Sequence, residues 1–202
     1  ILMSGTLYPP QMYADILDLP KQKTTKTAYN SPFAGERRPV LVAGDVTTKY
    51  TQRSLDMWAK IRAHLQALID ETPGHLAVFF PSYKIMEDII GERTFKGVTK
   101  LVESRDWSKQ DIDGIVPSLK EKKEKKQRVM LCGVYGARLS EGIDYNGGIL
   151  DAVACIGIPN APPSVLSSAL KDYAGERFGA NNAWRYTVTQ PAINAILQAM
   201  GR

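Results

Sequence analysis

Cysteine is scarce in this sequence of 202 residues, in which Cys132 and Cys155 are the two present and each lies within an apolar run. Two cysteines cannot supply a four-cysteine metal or cluster site, and apolar surroundings favour buried thiols over a disulfide framework. No apolar run approaches the roughly 18–20 residues that span a bilayer, and no signal-peptide pattern opens the chain. The sequence therefore predicts a domain that folds in a reducing compartment without disulfides.

Two nucleotide-binding patterns are also missing. The sequence contains no G-x-x-x-x-G-K-[ST] phosphate loop and no D-E-x-H magnesium motif. Without the lysine of that loop and a metal ligand, no group of this chain binds the β- and γ-phosphates of a nucleoside triphosphate. We therefore expect that the isolated chain does not hydrolyse ATP. His64 and His75 have no partners at metal-ligand spacing, so structural roles are predicted for both and no metal site is predicted.

The residues that are present suit a globular domain. Hydrophobic residues make up 44% of the chain, which is enough apolar material for a core. The length suits one large domain or two small ones. The net charge is +5 and the isoelectric point is about 9.1, which permits an anionic partner without requiring one.

Strands and helices alternate along the chain. Short apolar, β-branched runs predict strands that are covered on both faces, and they lie at 39–42, 76–80, 98–102, 128–134 and 152–158. Helical periodicity covers 54–71, 83–90 and 164–178. Strand, helix, strand at this spacing predicts an α/β fold, a doubly wound and mostly parallel sheet with helices on both faces.

The N-terminal part departs from this pattern. Residues 1–6 predict a buried strand, which suggests a fragment boundary rather than a natural N-terminus. Residues 21–38 are polar and are predicted to cross the surface. We therefore predict two parts, residues 1–38 as a strand with its connecting segment and residues 39–202 as the main α/β domain.

The functional residues are predicted at one edge of the sheet. In open parallel sheets, ligands bind beyond the carboxyl ends of the strands. The strand at 76–80 leads into Ser82 and Tyr83, and the strand at 128–134 leads into Gly142 and Asp144. Glycine lets the backbone approach a phosphate, and tyrosine can stack on a base. For Gly142 and Asp144, a simple turn of the chain is an equally good interpretation.

Several segments together resemble motifs of the XPD-type helicases, the iron–sulfur family of helicase superfamily 2. Motifs III, IV, V and VI are matched in order by Ser4-Gly5-Thr6-Leu7, Phe79-Phe80-Pro81-Ser82-Tyr83, Ser140-Glu141-Gly142-Ile143-Asp144-Tyr145 and Gln198-x-x-Gly201-Arg202. The resemblance implies a RecA-like fold. It further implies the second motor domain of a DNA-stimulated ATPase that moves 5′ to 3′ along single strands, unwinds duplexes and acts in nucleotide excision repair.

The resemblance implies a role for each matching position. Arg202 would act beside Gln198 as an arginine finger, which neutralises charge developing on the transferred phosphoryl group. The other implied roles are nucleotide binding for Gly142, Asp144 and Gly201, DNA binding for Ser82, Tyr83, Arg53 and Ser140, and coupling of nucleotide state to movement for Ser4, Thr6 and Glu141.

The sequence departs from the family at several positions. Met3 and Tyr8 flank motif III where relatives often carry threonine and serine, and Asn194 stands where many relatives carry arginine. The second arginine of motif VI, three residues after Arg202, is absent, so we expect that the chain is cut within motif VI. Trp184 lies in a polar segment, where stacking on a base and surface packing are equally good interpretations.

The resemblance also implies the surroundings of this domain. ATP and Mg²⁺ would be held mainly by a missing first motor domain, and the intact protein would carry a 4Fe–4S cluster without ligands from this chain. The expected partners are single-stranded DNA, the first motor domain and repair or transcription factors, with no membrane and a monomeric state. The expected location is the prokaryotic cytoplasm, at the nucleoid, or the eukaryotic nucleus. Two alternatives stay open, a UvrB-like repair motor domain and a non-catalytic α/β module that binds nucleic acid or docks a partner.

Overall fold

A computed structural model describes residues 1–30, 35 and 39–202 of the chain. These residues form two compact units. The larger unit comprises Gly44–Asn160 with Ala195–Arg202, and the smaller unit comprises Ile1–Ala43 with Ala161–Asn194. None of the described helices is long and apolar enough to cross a membrane.

Helices and strands alternate through most of the described chain. The strands are β1 (His75–Phe80), β2 (Thr99–Val102), β3 (Val129–Val134) and β4 (Leu150–Cys155). The helices are, in chain order, α1 (Pro10–Ile16), α2 (Leu55–Glu71), α3 (Tyr83–Ile90), α4 (Lys109–Asp113), α5 (Ile115–Glu124), α6 (Val165–Phe178), α7 (Ala180–Trp184) and α8 (Gln190–Met200). The helices predicted at 54–71, 83–90 and 164–178 are confirmed as α2, α3 and α6.

A parallel sheet forms the centre of the larger unit. Its strand order is β2-β3-β1-β4, and every neighbouring pair is parallel. Val78 of β1 lies opposite Cys132 of β3 on one side and Ala154 of β4 on the other. Non-consecutive neighbours require crossover connections, so the predicted α/β fold with a doubly wound parallel sheet is confirmed.

Each face of the sheet carries its own apolar core. Side chains alternate along a strand, so Val78 and Phe80 pack with α2 and α3, whereas Ala77 and Phe79 pack with α5 and the end of α8. All six residues of β1, His75–Phe80, are fully buried, as expected for a strand with layers on both sides. The predicted helices on both faces are therefore confirmed.

Serine residues cap the beginnings of several helices, among them α2 and α3. The Oγ of Ser54 accepts a hydrogen bond from the backbone N–H of Met57 at 3.1 Å. The Oγ of Ser82 accepts one from Ile85 at 3.2 Å. Each bond satisfies an N–H group that has no partner within the first turn of its helix.

Both histidines have structural partners, as predicted. His75 is buried, and its ring nitrogens lie 2.8 Å from the carbonyl of Leu119 and 3.0 Å from the backbone nitrogen of Val129. His64 lies on the surface of α2, with Nε2 at 2.8 Å from a carboxylate oxygen of Asp45. The first interaction ties β1 to α5 and β3, and the second ties α2 to the segment before it.

The smaller unit is helical. It contains α1, α6, α7, a π-helical turn at Arg185–Thr189 and the first residues of α8. The hydroxyl of Tyr186 donates to Oδ2 of Asp15 at 2.7 Å, and Nδ2 of Asn194 donates to the hydroxyl of Tyr13 at the same distance. Asn194 therefore has a structural partner on α1.

Two predicted strands are wrong. Residues 1–6 and 39–42 have no strand structure, and their apolar side chains are exposed, with Ile1 at 115%, Leu41 at 89% and Val42 at 87%. An apolar, β-branched run becomes a strand when a neighbour pairs with its backbone and a layer covers its side chains. Neither run has such a neighbour among the described residues.

The predicted surface connection is described only in part. Its first residues include a short 3-10 turn at Lys21–Lys23, and residues 25–30 are exposed. Residues 31–34 and 36–38 of this segment lie outside the described residues. The predicted boundary between residues 38 and 39 stays a prediction.

Candidate functional site

The carboxyl ends of the strands bring together most of the residues predicted for a site. Ser82 and Tyr83 follow β1, Glu103 follows β2, and residues 135–149, here called the β3–β4 loop, follow β3. Because the strands are parallel, these segments lie at one edge of the sheet.

A buried carboxylate supports the β3–β4 loop. Glu103 is 4% exposed, its Oε2 accepts the backbone N–H of Val134 at 3.1 Å, and its Oε1 accepts that of Leu139 at 3.2 Å. Burial raises the pKa of Glu103, although the backbone donors and the charge of Arg138 oppose this shift. The use of both oxygens as acceptors suits the ionised form.

Hydrogen bonds within the loop fix its inner part. The hydroxyl of Tyr145 donates to the carbonyl of Leu139 at 3.1 Å, and the Oγ of Ser140 donates to the carbonyl of Ala137 at 3.0 Å. Ser140 is fully buried. Its hydroxyl therefore supports the loop, and the DNA contact that the resemblance implies for Ser140 stays a prediction.

Arg202 connects the end of the chain to the same loop. Its Nε donates to the carbonyl of Ser140 at 2.8 Å, and its Nη1 donates to the carbonyl of Ile143 at 2.9 Å. Both predicted motif segments, Ser140–Asp144 and Gln198–Arg202, are thereby in direct contact. A guanidinium carries five N–H groups, so further donors remain after these two bonds.

The outer part of the loop is exposed. Glu141, Gly142 and Asp144 face outward, and Oδ2 of Asp144 accepts from Nδ2 of Asn146 at 2.5 Å. A Cβ atom at Gly142 would lie 3.3 Å from the carbonyl of Arg138, which is tighter than ordinary contact. The backbone of Gly142 and the carboxylates of Glu141 and Asp144 are thus accessible to a ligand. The nucleotide-binding and coupling roles of these residues stay predictions.

Gln198 and Gly201 lie at the end of α8. Gln198 is half-buried and Gly201 is exposed, with the backbone N–H of Gly201 donating to the carbonyl of Leu197 at 3.1 Å. Gln198 precedes Gly201 and Arg202 by about one helical turn, a spacing that places residues on the same side of a helix. Their roles toward a nucleotide stay predictions.

Tyr83 lies beside an arginine that the sequence reasoning missed. The guanidinium carbon of Arg105 stands 4.5 Å from the centre of the Tyr83 ring, a cation–π arrangement. Burial and the charge of Glu103 raise the pKa of Tyr83, so its hydroxyl stays neutral. Ser82 uses its Oγ to cap α3 and is half-buried. The DNA contacts predicted for Ser82 and Tyr83 stay predictions.

Arg53 is exposed in the segment before α2. Its Nε donates to the carbonyl of Thr48 at 2.9 Å, and its guanidinium carbon lies 5.3 Å from the centre of the Tyr50 ring. Thr48 in turn packs against Gly157 after β4, where an added Cβ would lie 2.1 Å from the Thr48 Oγ1. This packing holds the Arg53 segment at the carboxyl end of β4.

Ser4 and Thr6 belong to the smaller unit. Their hydroxyl oxygens lie 3.1 Å apart in a turn, and the backbone N–H of Thr6 donates to the Ser4 Oγ at 3.2 Å. They form a local turn motif instead of the end of a strand. The coupling role implied for them stays a prediction.

Three charged residues at the sheet edge were missed as site residues. Glu103 and Arg105 follow β2, and Arg138 is exposed on the β3–β4 loop, with Nη1 donating to the carbonyl of Trp107 at 2.5 Å. The available signal was the position of Glu103 and Arg105 directly after a predicted strand. The order of the strands, which places β2 beside β3, could not be read from the sequence.

The described residues form no site that could hold a metal ion or an iron–sulfur cluster. Among them, no three His, Cys, Asp or Glu side chains are placed to hold a metal ion. Cys132 is buried in the sheet, where burial raises its thiol pKa to about 12, and Cys155 also has its pKa raised by burial. A thiolate is the form that binds metal, so neither cysteine suits such a site.

Comparison with known families identifies a match over most of the chain. The family described as the helicase C-terminal domain matches residues 65–202. The matched region begins within α2 and includes the whole sheet, the β3–β4 loop and Arg202.

Individual relatives agree with this match. The chain is 28% identical to the ATP-dependent DNA helicase XPD of Sulfolobus acidocaldarius, over 100% of this chain and 36% of that protein. It is 24% identical to the ATP-dependent DNA helicase CHL1 of Debaryomyces hansenii, over 84% of this chain and 22% of that protein. The chain therefore spans about a third of the length of the first relative and less of the second.

Solved structures give the same result. A structure titled XPD helicase superposes with a TM-score of 0.62 and 29% identity, covering 78% of this chain and 27% of the other. A structure of apo XPD gives a TM-score of 0.62 and 28% identity, covering 78% of this chain and 31% of the other. The RecA-like fold implied by the sequence resemblance is confirmed.

Proposed function

The chain belongs to the helicase C-terminal domain family, and from this membership we propose that it is the second motor domain of an ATP-dependent DNA helicase of the XPD type. In the intact protein it contributes motifs III–VI to ATP sensing and to 5′-to-3′ movement along single-stranded DNA. The process it serves is nucleotide excision repair. The isolated chain is inactive, because it carries no phosphate loop.

The contact between Arg202 and the β3–β4 loop carries this proposal. Two carbonyls hold the Arg202 guanidinium at 2.8 and 2.9 Å, which leaves further N–H donors for an anion. A guanidinium held in this way is oriented before a nucleotide arrives, and preorganised charge stabilises a phosphoryl-transfer transition state most effectively. The same loop exposes Glu141, Gly142 and Asp144, so a change at the nucleotide reaches the loop through Arg202.

Single-stranded DNA is the second ligand in this proposal. Tyr83 offers a ring for stacking on a base, and Arg105 and Arg138 add exposed positive charge at the same sheet edge. An aromatic side chain beside cationic groups is a common arrangement for sequence-independent binding of single strands. Arg53 adds a further backbone contact beyond β4.

The remainder of the intact protein supplies the missing parts. A first motor domain holds ATP and Mg²⁺, and a 4Fe–4S cluster lies outside this chain, whose cysteines do not suit one. The protein works as a monomer with repair or transcription factors, in the cytoplasm at the nucleoid or in the nucleus. A non-catalytic α/β module is the alternative; it predicts that ATP turnover does not depend on Arg202.

Substitution of Arg202 in the intact protein tests the proposed function. We expect Arg202→Ala to lower DNA-stimulated ATP turnover on the order of 10³-fold, the lower range for loss of an arginine finger. Arg202→Lys keeps the positive charge but loses the two hydrogen bonds that the guanidinium donates to loop carbonyls. We therefore expect ATP turnover of this variant to stay low. Affinity for single strands, measured by fluorescence anisotropy, should barely change. Normal turnover in Arg202→Ala would show that the motif VI assignment is wrong.

A further inference from the structure

Glu103 is an unusual glutamate because it is almost completely buried. Glutamate side chains are rarely buried unless their charge is compensated. Here the side chain is 4% exposed, and both of its oxygens accept backbone N–H groups, from Val134 at the end of β3 and from Leu139 in the β3–β4 loop. The carboxylate therefore connects the strand to the loop that follows it, although Glu103 itself lies more than thirty residues earlier in the chain.

The two acceptor bonds specify a carboxylate at this position. A glutamine has one carbonyl oxygen, and its NH₂ group would face the second backbone N–H, which leaves one buried donor without a partner. An aspartate keeps both oxygens but is shorter by one methylene group. Neither substitute can reproduce both bonds without movement of the loop.

Close packing leaves the loop little freedom around this carboxylate. A Cβ atom added to Gly133 would lie 2.9 Å from Oε2 of Glu103 and 3.0 Å from Cβ of Leu139. Within the loop, the hydroxyl of Tyr145 donates to the carbonyl of Leu139, and from outside it the guanidinium of Arg202 donates to two loop carbonyls. The loop is thus held between Glu103 on the sheet side and Arg202 on the chain-end side.

We infer that Glu103 is a positioning residue, which fixes the β3–β4 loop so that Glu141, Gly142 and Asp144 are presented at the edge of the sheet. Glu103 acts through the backbone of the loop and does not itself touch nucleotide or DNA. The consequence for ATP turnover rests on the proposed function, whereas the loop contact does not.

The loop contact is tested by amide hydrogen exchange in the chain itself. We expect Glu103→Gln to lower the protection of the Val134 and Leu139 amides by roughly tenfold to a hundredfold, the range for loss of a hydrogen bond to a charged group. The matched control is Leu101→Ala, which weakens the packing of β2 but leaves the carboxylate in place. Equal protection of these two amides in both variants would overturn the inference. If Glu103→Gln does not fold, Glu103→Asp gives the same comparison, with loss of protection expected at one or both amides.

The functional consequence is tested in the intact protein. At saturating ATP and single-stranded DNA, we expect Glu103→Gln to lower kcat about tenfold or more while Leu101→Ala keeps it, because a misplaced catalytic loop slows the chemical step. The KM for ATP should change less than kcat. Equal kcat in the two variants would overturn the positioning role. If the unaltered protein shows no DNA-stimulated turnover, the proposed function fails, and the exchange result still decides the loop contact.

Discussion

Gly133 controls how closely the β3–β4 loop can approach the sheet. An alanine there would place its Cβ 2.9 Å from the Glu103 carboxylate and 3.0 Å from Leu139, and both neighbours are buried. Since neither can move into open space, we expect Gly133→Ala to lower the free energy of unfolding by about 1–3 kcal/mol, the usual cost of overpacking. Urea denaturation measures this change.

Gly114→Ala is the matched control for that substitution. Gly114 has φ −77° and ψ −14°, and an added Cβ would lie 3.4 Å from the carbonyl of Gln110. A helical conformation accepts alanine, so this variant should be neutral or more stable by up to ~1 kcal/mol. If both variants behave alike, the close packing at Gly133 does not govern stability.

The buried carboxyl of Glu103 should make stability depend on pH. Burial raises its pKa above the ordinary 4.5, so in the window between pH 4.5 and the folded pKa the folded chain keeps a proton that the unfolded chain has lost. Above the folded pKa, the side chain is the carboxylate that accepts both backbone N–H groups. Stability from this group is then greatest below that window and falls as pH rises through the folded pKa. We expect the difference in unfolding free energy between the unaltered chain and Glu103→Gln to follow this slope. A difference that is constant across the window would contradict the shift.

At the scale of single residues, the sequence indicated candidate site residues but not how deeply each side chain is buried. The motif resemblance singled out Ser140 and Arg202, which are distant in the chain, and the structure brings them into contact. The sequence could not show that Ser140 is fully buried, since burial depends on how the loop folds back over the sheet. Glu103 was missed for the same reason, because its donors lie on a strand and a loop that are distant in sequence.

Among the elements, α3 begins at a serine that caps the helix and for which a DNA contact is also predicted. Ser82 caps α3, and its loss as Ser82→Ala should cost about 0.5–2 kcal/mol of stability. Ser82→Asp also provides an N-cap oxygen, so it should restore stability, while its negative charge repels the DNA backbone. We expect Ser82→Asp to keep the thermal unfolding midpoint of the unaltered chain but to bind single-stranded DNA more weakly.

The corresponding change at Ser164 is the control for this comparison. Ser164 caps α6 in the smaller unit, accepting from the backbone N–H of Ser167 at 3.1 Å, and no DNA role is predicted for it or for its chain neighbours. Ser164→Asp should therefore keep both stability and affinity. Equal affinity of Ser82→Asp and the unaltered chain in anisotropy measurements would remove Ser82 from the DNA-binding face.

Elements were predictable where local pattern and long-range pairing agree. The four strands of the sheet are apolar runs that also find parallel neighbours and a layer on each face. Residues 39–42 have the same local pattern but remain exposed, because composition cannot report whether a neighbouring strand exists. The last predicted strand, 152–158, extends too far, since β4 ends at Cys155 and Gly157 takes φ +63°.

The described chain also exposes an apolar helix face. Val165, Leu166, Leu170 and Tyr173 lie on one side of α6 and are 50–89% exposed. Contiguous exposed apolar side chains usually mark a surface that another protein segment covers. This surface agrees with the proposal that the intact protein has a further motor domain.

The whole chain should bind single strands weakly and without sequence preference, and its salt dependence separates two kinds of contact. We expect affinity to fall with salt, with a slope of about 0.7 per phosphate neutralised. Arg105→Gln should reduce that slope by a similar amount if Arg105 contacts a phosphate. Tyr83→Leu should lower affinity by about 1–3 kcal/mol, the range for loss of one stacked base, while leaving the slope nearly unchanged.

Lys125→Gln provides the control for this last measurement, because it removes one positive charge at the opposite edge of the sheet. Lys125 pairs with Glu121 at 2.5 Å and precedes β3, so it lies toward the amino ends of the strands. If binding reflected only the net charge of +5, Lys125→Gln and Arg105→Gln would change the slope equally. A larger effect of Arg105→Gln, measured by anisotropy between low and moderate salt, would locate the DNA path at the carboxyl edge beside Tyr83. Equal effects would contradict a defined path and favour diffuse attraction over a motor groove.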